Sequence, residues 1–199
     1  MLHYAPNKKG EFGSAVRGNL WLQKEMYLLS NDVEELRNLR FDEHRLGPYS
    51  STVESIQIQH LHSETIRQHL REGPIRLTSK GMKLVENIWK KSSESNKKVV
   101  TRIKQLLNDM TKWELISFIY SSFPTTTKNS DVVEDFHKER KDAAAKLFKR
   151  NKVSLERSAN IAGISLDEFV LFLKAKKIPI IISEDSKFDQ ELSYLEHSS

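Results

Sequence analysis

Gly47-Pro48-Tyr49-Ser50-Ser51-Thr52-Val53-Glu54 and, further on, Leu77-Thr78-Ser79-Lys80-Gly81 are the stretches whose reading decides the fold. Gly-Pro is a turn signal. Ser50 or Ser51 can accept a hydrogen bond from the free amides that open a helix, with Glu54 as the capping-box partner of Ser51. On that helix Val53, Ile56 and His60 fall on one face. Thr65–Leu70 and Ile75–Leu77 then read as short strands, joined by the turn Arg71-Glu72-Gly73-Pro74. Thr78 or Ser79 caps the next helix, which runs through Lys91 with Met82, Leu84, Val85, Ile88 and Trp89 as apolar residues.

On the N-terminal side, Ser14–Ser30 has a helical pattern. Leu22, Met26 and Leu29 share a face, and Val16 and Leu20 extend the stripe. Asn31 or Asp32 is placed to cap a short second helix with Val33 and Leu36 as core residues. Two more helices come after the return at Leu77–Gly81. One carries Val99, Ile103, Leu106 and Leu107. The other, capped by Thr111, is apolar nearly all round, which means deep burial or a subunit interface. A two-stranded hairpin is marginal alone, so it must pack on the helices. The expected fold is mainly α: a winged helix-turn-helix with a small two-stranded wing over 13–123.

Residues 124–130, Pro-Thr-Thr-Thr-Lys-Asn-Ser, read as a linker. A second, helical module spans 131–183. It opens with a long helix, Val132–Arg150, carrying Lys138, Arg140, Lys141, Lys146, Lys149 and Arg150. Ser154 and Ser165 cap two further helices. Gly163 supplies the sharp turn between them, Ala159 lets them approach, and Ile164, Phe169 and Phe172 face the core; this is helix-turn-helix spacing. Ile178–Ile182 is strand-sized. Residues 184–199 form an acidic tail.

The net charge is +5. The stretch 183–199 carries five acids and one base, so residues 1–182 hold a net +9. A basic body suits phosphate contact, because each neutralised phosphate releases counterions. There is no cysteine, which excludes a disulfide framework and thiolate zinc sites. The N-terminus lacks the apolar run of a secretory signal, and no stretch is apolar enough to span a bilayer. A cytoplasmic location without membrane contact is expected. The seven glycines are scattered, so there is no phosphate-cradling loop. His60-x-His62 points its rings apart, and no metal, cofactor or enzymatic activity is expected.

These residues carry two resemblances. Leu22-Gln23-Lys24, Gly47-Pro48-Tyr49-Ser50 and Leu77–Gly81 make residues 14–123 similar to the YwgA-type winged-helix proteins, related in style to the Panacea (SocA-like) antitoxin domain. Ser63-Glu64-Thr65-Ile66 stands where that pattern has Gly-Leu-Ile. Ala143–Phe148, Val153–Ala159, Ala162–Ser165, Glu168-Phe169 and Lys177-Ile178-Pro179 make residues 134–182 similar to a small archaeal and bacterial family of antitoxin (VapB-like) type. Both resemblances imply regulation. The leading expectation is a dimeric transcriptional regulator that binds double-stranded DNA. Ser51, Thr52, Ser55, Gln57 and Gln59 would read bases, and Arg67, His69 and Arg71 of the wing would hold the backbone or minor groove. Glu54, and the absence of Lys or Arg from the reading helix, favour the alternative: an antitoxin or adaptor that contacts a toxin or other protein. Asp167 and Glu168 weigh the same way in the second module, which could serve DNA contact, dimerisation or partner binding.

Overall fold

The helical stripe over 14–30 yields a helix only from Asn19 (α1, Asn19–Asp32). Val16 lies outside it: its N–H and C=O pair with those of Ile75 at 3.0 and 2.8 Å, as an isolated antiparallel bridge. Asn108 fixes this stretch, accepting from the Arg17 amide at 2.9 Å and donating to the Ala15 carbonyl at 2.8 Å. Val16 is thus an apolar residue held by a single bridge, fully buried. Asn31 and Asp32 end α1 rather than cap a second helix. After them the chain makes a single 3₁₀ turn, Glu34–Leu36, opened by Val33 with no side-chain cap.

The computed structural model describes residues 1–127 and 131–180. They are mainly helical, with two small two-stranded sheets: β1 (Asp42–His44) with β2 (Gly47–Tyr49), and β3 (Ile66–Arg67) with β4 (Arg76–Leu77). Helix α2 (Ser51–His62) precedes β3, and α3 (Ser79–Lys91) and α4 (Glu94–Leu107) come after β4. The chain divides into two units, Met1–Asp42 with Pro48–Asp109, and Glu43–Gly47 with Met110 onward. No described helix is long and apolar enough to cross a membrane.

In the first unit α1 packs on α4. Leu22, Leu28, Leu29, Val53, Ile66, Val100, Ile103 and Leu107 are buried there. Polar side chains are buried with them. Gln23 accepts from the Ser50 amide at 2.9 Å and donates to the Ser50 carbonyl at 3.1 Å. Lys24 Nζ donates to the Pro48 carbonyl at 2.7 Å. One turn of α1 thus holds the turn that starts α2. Lys104 Nζ ties the N-terminal segment, donating to the carbonyls of Ala5 (2.9 Å) and Ser14 (2.8 Å). Burial lowers Lys24 to about 7 and Lys104 to about 8, and it pushes Glu25 well above the carboxylate range.

Ser50 caps α2, its hydroxyl accepting from the Val53 amide. Glu54 is not a capping-box partner, because the Tyr49 hydroxyl donates to it instead. Thr78 caps α3 and also donates to the Glu64 carbonyl at 2.6 Å. A Cβ at Gly81 would sit 1.9 Å from the Thr65 carbonyl oxygen, so only glycine lets α3 start against the hairpin.

The second unit contains α5 (Lys112–Ser122), α6 (Val133–Lys149), α7 (Leu155–Ala162) and α8 (Leu166–Ala175). The apolar helix expected to close the first module is α5, and its contacts are with α6 and α7. Leu115, Ile116, Phe118, Ile119 and Tyr120 are buried, and Thr111 closes a full capping box with Glu114. Glu114 also receives Arg150 at 2.9 Å. Gly163 ends α7 with φ 70°. The Arg140 guanidinium lies where a Cβ there would go, donating to the Ile161 carbonyl at 2.8 Å. Ser165 caps α8, with Glu168 closing the box. Ile178–Ile180 are not in a strand; residues 181–182 and the acidic tail lie outside the described residues.

Two outcomes test the buried polar latch. Gln23→Leu strands the amide of fully buried Ser50, whose carbonyl keeps the Glu54 amide at 3.2 Å, and is expected to cost about 1–3 kcal/mol in urea denaturation. Lys24 binds its proton more weakly in the folded chain than in the unfolded one, where its value is near 10.5. Between pH about 7 and 10.5 the unfolded state therefore holds more protons, and stability rises with pH. Lys24→Met is expected to flatten that rise by up to about 1.4 kcal/mol per pH unit, while Lys104 keeps a residual slope above its own value of about 8.

Candidate nucleic-acid interface

Helix α2 turns one side inward and leaves the other free. Val53 and Gln57, one turn apart, are the buried residues, whereas Ser51, Thr52, Ser55 and Gln59 are exposed. These four present hydroxyl and amide groups to solvent from one helix. Ile56 and Ile58 are exposed beside them.

Gln57 leaves the set of candidate base-reading residues. Its amide donates to Asn19 Oδ1 and Gln68 Oε1, each at 2.9 Å. Gln68 in turn donates to Asn19 Oδ1, and to the carbonyls of Arg71 and Gly73, at 2.8 Å. This network ties α1, α2 and the hairpin turn together. Periodicity places Ile56 on the core face and Gln57 away from it. A polar partner set on α1 and the hairpin buries Gln57, while Ile56 stays exposed, and a sequence pattern does not reveal such non-local partners.

Arg67, His69 and Arg71 of the hairpin are exposed. The register pairs Ile66 with Leu77 and Arg67 with Arg76. Directly opposed residues point to the same face of an antiparallel pair. Two arginines therefore stand side by side on the outer face, and among the described residues neither is in an ion pair. Sequence reasoning misses Arg76. It lies in a stretch read as a strand, and only the register shows that it faces Arg67. Like charges so placed repel unless an anion lies between them. Arg71 is close enough to Tyr49 to act on its titration, so the hairpin turn lies near the start of α2. The Tyr49 hydroxyl is pushed up to about 12, first by burial and then by its hydrogen bond to Glu54. The half-buried Glu54 carboxylate is thus engaged by Tyr49.

The hairpin starts where the glycine expected from the resemblance is missing. Glu64 fills that place with φ 54°, in the left-handed region that glycine adopts more cheaply. The chain still turns, and β3 begins at Ile66.

His60 Nδ1 lies 2.8 Å from Thr65 Oγ1, and no cluster of three or more His, Asp or Glu among the described residues is placed to hold a metal ion. In the second unit the start of α8 exposes Asp167 and Glu168, and Glu168 is lowered by its hydrogen bonds to the Ser165 backbone and side chain. Leu166 and Leu171 of the same helix are exposed.

The family model described as Uncharacterised protein family (UPF0175) matches residues 131–197. The chain is similar to that family over its C-terminal third, the same region that resembles the antitoxin-type family. No curated protein matches the chain.

The two glutamines of α2 should separate in a stability measurement. Gln57→Ala breaks a buried network and is expected to lower unfolding free energy by about 1–3 kcal/mol. Gln59→Ala, on the exposed side, is expected to stay within about 0.5 kcal/mol of the parent.

Proposed function

We propose that the first unit is a winged-helix module of a DNA-binding transcriptional regulator, acting as a dimer. In this reading α2 enters the major groove and the β3–β4 hairpin is the wing. The observation that carries it is the opposed pair Arg67 and Arg76 on the outer face of the hairpin, neither of them in an ion pair among the described residues. Phosphate is the anion that would relieve their repulsion. Ser51, Thr52, Ser55 and Gln59 are exposed on α2 and supply donors and acceptors of the kind that read base edges. His69 and Arg71 extend the basic surface toward the hairpin turn. Exposed Ile58 suits contact with thymine methyl groups.

The second reading, an antitoxin or adaptor that binds a toxin or other protein, is favoured for the second unit. Acids and exposed leucines share α8 there, a combination that repels phosphate and suits a protein surface. The family match over 131–197 supports a role of its own for this region. The two readings are compatible, one unit binding DNA and the other a protein.

Fluorescence anisotropy with a labelled duplex, from 50 to 200 mM KCl, tests the first reading. Affinity is expected to fall steeply with salt. Replacing Arg67 and Arg76 together by alanine is expected to weaken binding at least tenfold and to reduce the log–log salt slope by about 2. Ser55→Ala and Gln59→Ala are expected to change preference among duplexes and leave that slope unchanged. No duplex binding at 50 mM KCl, or a double variant equal to the parent, would sink the reading.

A further inference from the structure

The first unit has an open-mouthed cavity of about 710 Å³, inside the ~300–1,000 Å³ range of small-molecule sites. Its walls are aliphatic, with Met26, Leu29, Val53, Ile66, Leu77 and Val85 among the lining residues. Three of the exposed large apolar side chains, Ile56 on α2 and Leu84 and Ile88 on α3, line the same space. Leu84 and Ile88 are one helical turn apart, so they present a continuous apolar edge to the opening. Exposed apolar residues gathered on one concavity mark a binding site more often than scattered ones do.

The polar groups on the lining define what would fit. Gln57 is committed to Asn19 and Gln68. His60 Nδ1 faces Thr65 Oγ1, and Ser92 donates to the Ile88 carbonyl at 2.7 Å. Glu35 and Lys91 are solvent-exposed. Among the described lining residues, one side-chain polar atom is both closed to solvent and unpartnered: Nδ1 of His3. Burial, then the positive charges of the amino terminus and Lys104, lowers His3 to about 3, so its ring is neutral at physiological pH. A neutral imidazole offers one hydrogen-bonding atom to an alcohol or carbonyl. The Met1 amino group also lines the cavity and is lowered to about 6 by burial and then by Lys104, so at pH 7.5 neither it nor the imidazole offers a charge to offset the cost of burying a carboxylate.

We propose that this cavity binds a lipophilic small molecule with a single uncharged hydrogen-bonding head, a fatty alcohol or ketone in chemical class, its head toward His3 and its tail along Met26, Leu29 and Val85. The site requires no nucleic acid and is independent of the DNA-binding reading. Its walls include α2, β3 and β4, so an occupant touches the elements assigned to DNA in that reading.

The experiment uses the full chain with 1-N-phenylnaphthylamine as the fluorescent probe, then displacement. Saturable binding of one probe per chain is expected, displaced by 1-decanol. Decanoate at pH 7.5 should compete at least tenfold less well. Leu84→Arg and Ile88→Arg, at exposed helix positions, should each weaken the probe at least tenfold with unchanged circular dichroism. Ile56→Arg gives the same test from α2 if either misfolds. His3→Leu should weaken 1-decanol at least fivefold. The proposal is overturned by absence of saturable probe binding to the parent chain, by decanoate competing as well as decanol, or by folded arginine variants that bind the probe unchanged. It is also overturned if sedimentation velocity shows that the parent chain is a dimer that Leu84→Arg splits, with no probe bound, since the concavity is then a subunit interface.

Discussion

The side chain of Gln23 takes the place of a neighbouring strand. Its carbonyl oxygen takes the Ser50 amide and its amide group gives back to the Ser50 carbonyl. Lys24, next in sequence, takes the Pro48 carbonyl. A tight turn with buried backbone groups must find partners for them, because each stranded group costs about as much as a whole hydrogen bond gains. Here α1 supplies the partners from side chains rather than from a ladder. The position of α2 depends on this, since Ser50 is both the latched residue and the N-cap. Next come β3 and β4, and then α3, seated on Thr65 through Gly81. Burying a lysine without a carboxylate partner is costly; Lys24 meets part of that cost by lowering its affinity for the proton.

The second unit solves a similar problem with arginines. Arg140 covers Gly163 and donates to the Ile161 carbonyl near the end of α7, while its guanidinium lies over the Phe136 ring at 4.8 Å. Arg150 reaches Glu114, which already closes the α5 capping box. These two of the six basic residues read on the long helix are thus structural. They hold helix ends, which leaves fewer cations on that unit for an outside anion and gives weight to the hairpin of the first unit as the phosphate-facing surface.

Local signals are legible in the sequence and non-local ones are not. The Thr78, Thr111, Ser154 and Ser165 caps, the left-handed Gly163 and the hairpin with its turn all depend on a few adjacent residues. Val16 has apolar spacing that suits a helix, but its backbone pairs with Ile75, a partner far along the chain. The reading of Asn31 and Asp32 as caps gives way because α1 continues through them. Gln23, Lys24, Lys104 and Gln57 carry polar side chains, so periodicity assigns them outward; their partners are non-local, backbone groups for the first three and side-chain amides for Gln57, and these have no sequence signature. The same gap explains the candidate interface. Its exposed hydroxyls, Arg67 and Arg71 are anticipated, but Gln57 is misplaced, and Arg76 emerges only once the register is known.

One measurement bears most directly on the claim that α2 and the hairpin form a single nucleic-acid-binding surface. It is a titration of the uniformly ¹⁵N-labelled full chain with a short duplex at low salt, monitored residue by residue in amide spectra. The expected result is that the signals of Ser51, Thr52, Ser55, Gln59, Arg67, Arg71 and Arg76 shift together, with the buried Val53 amide and the helices α6 to α8 little changed. Shifts confined to α6, α7 and α8, or no shifts at all at low salt, would contradict the account.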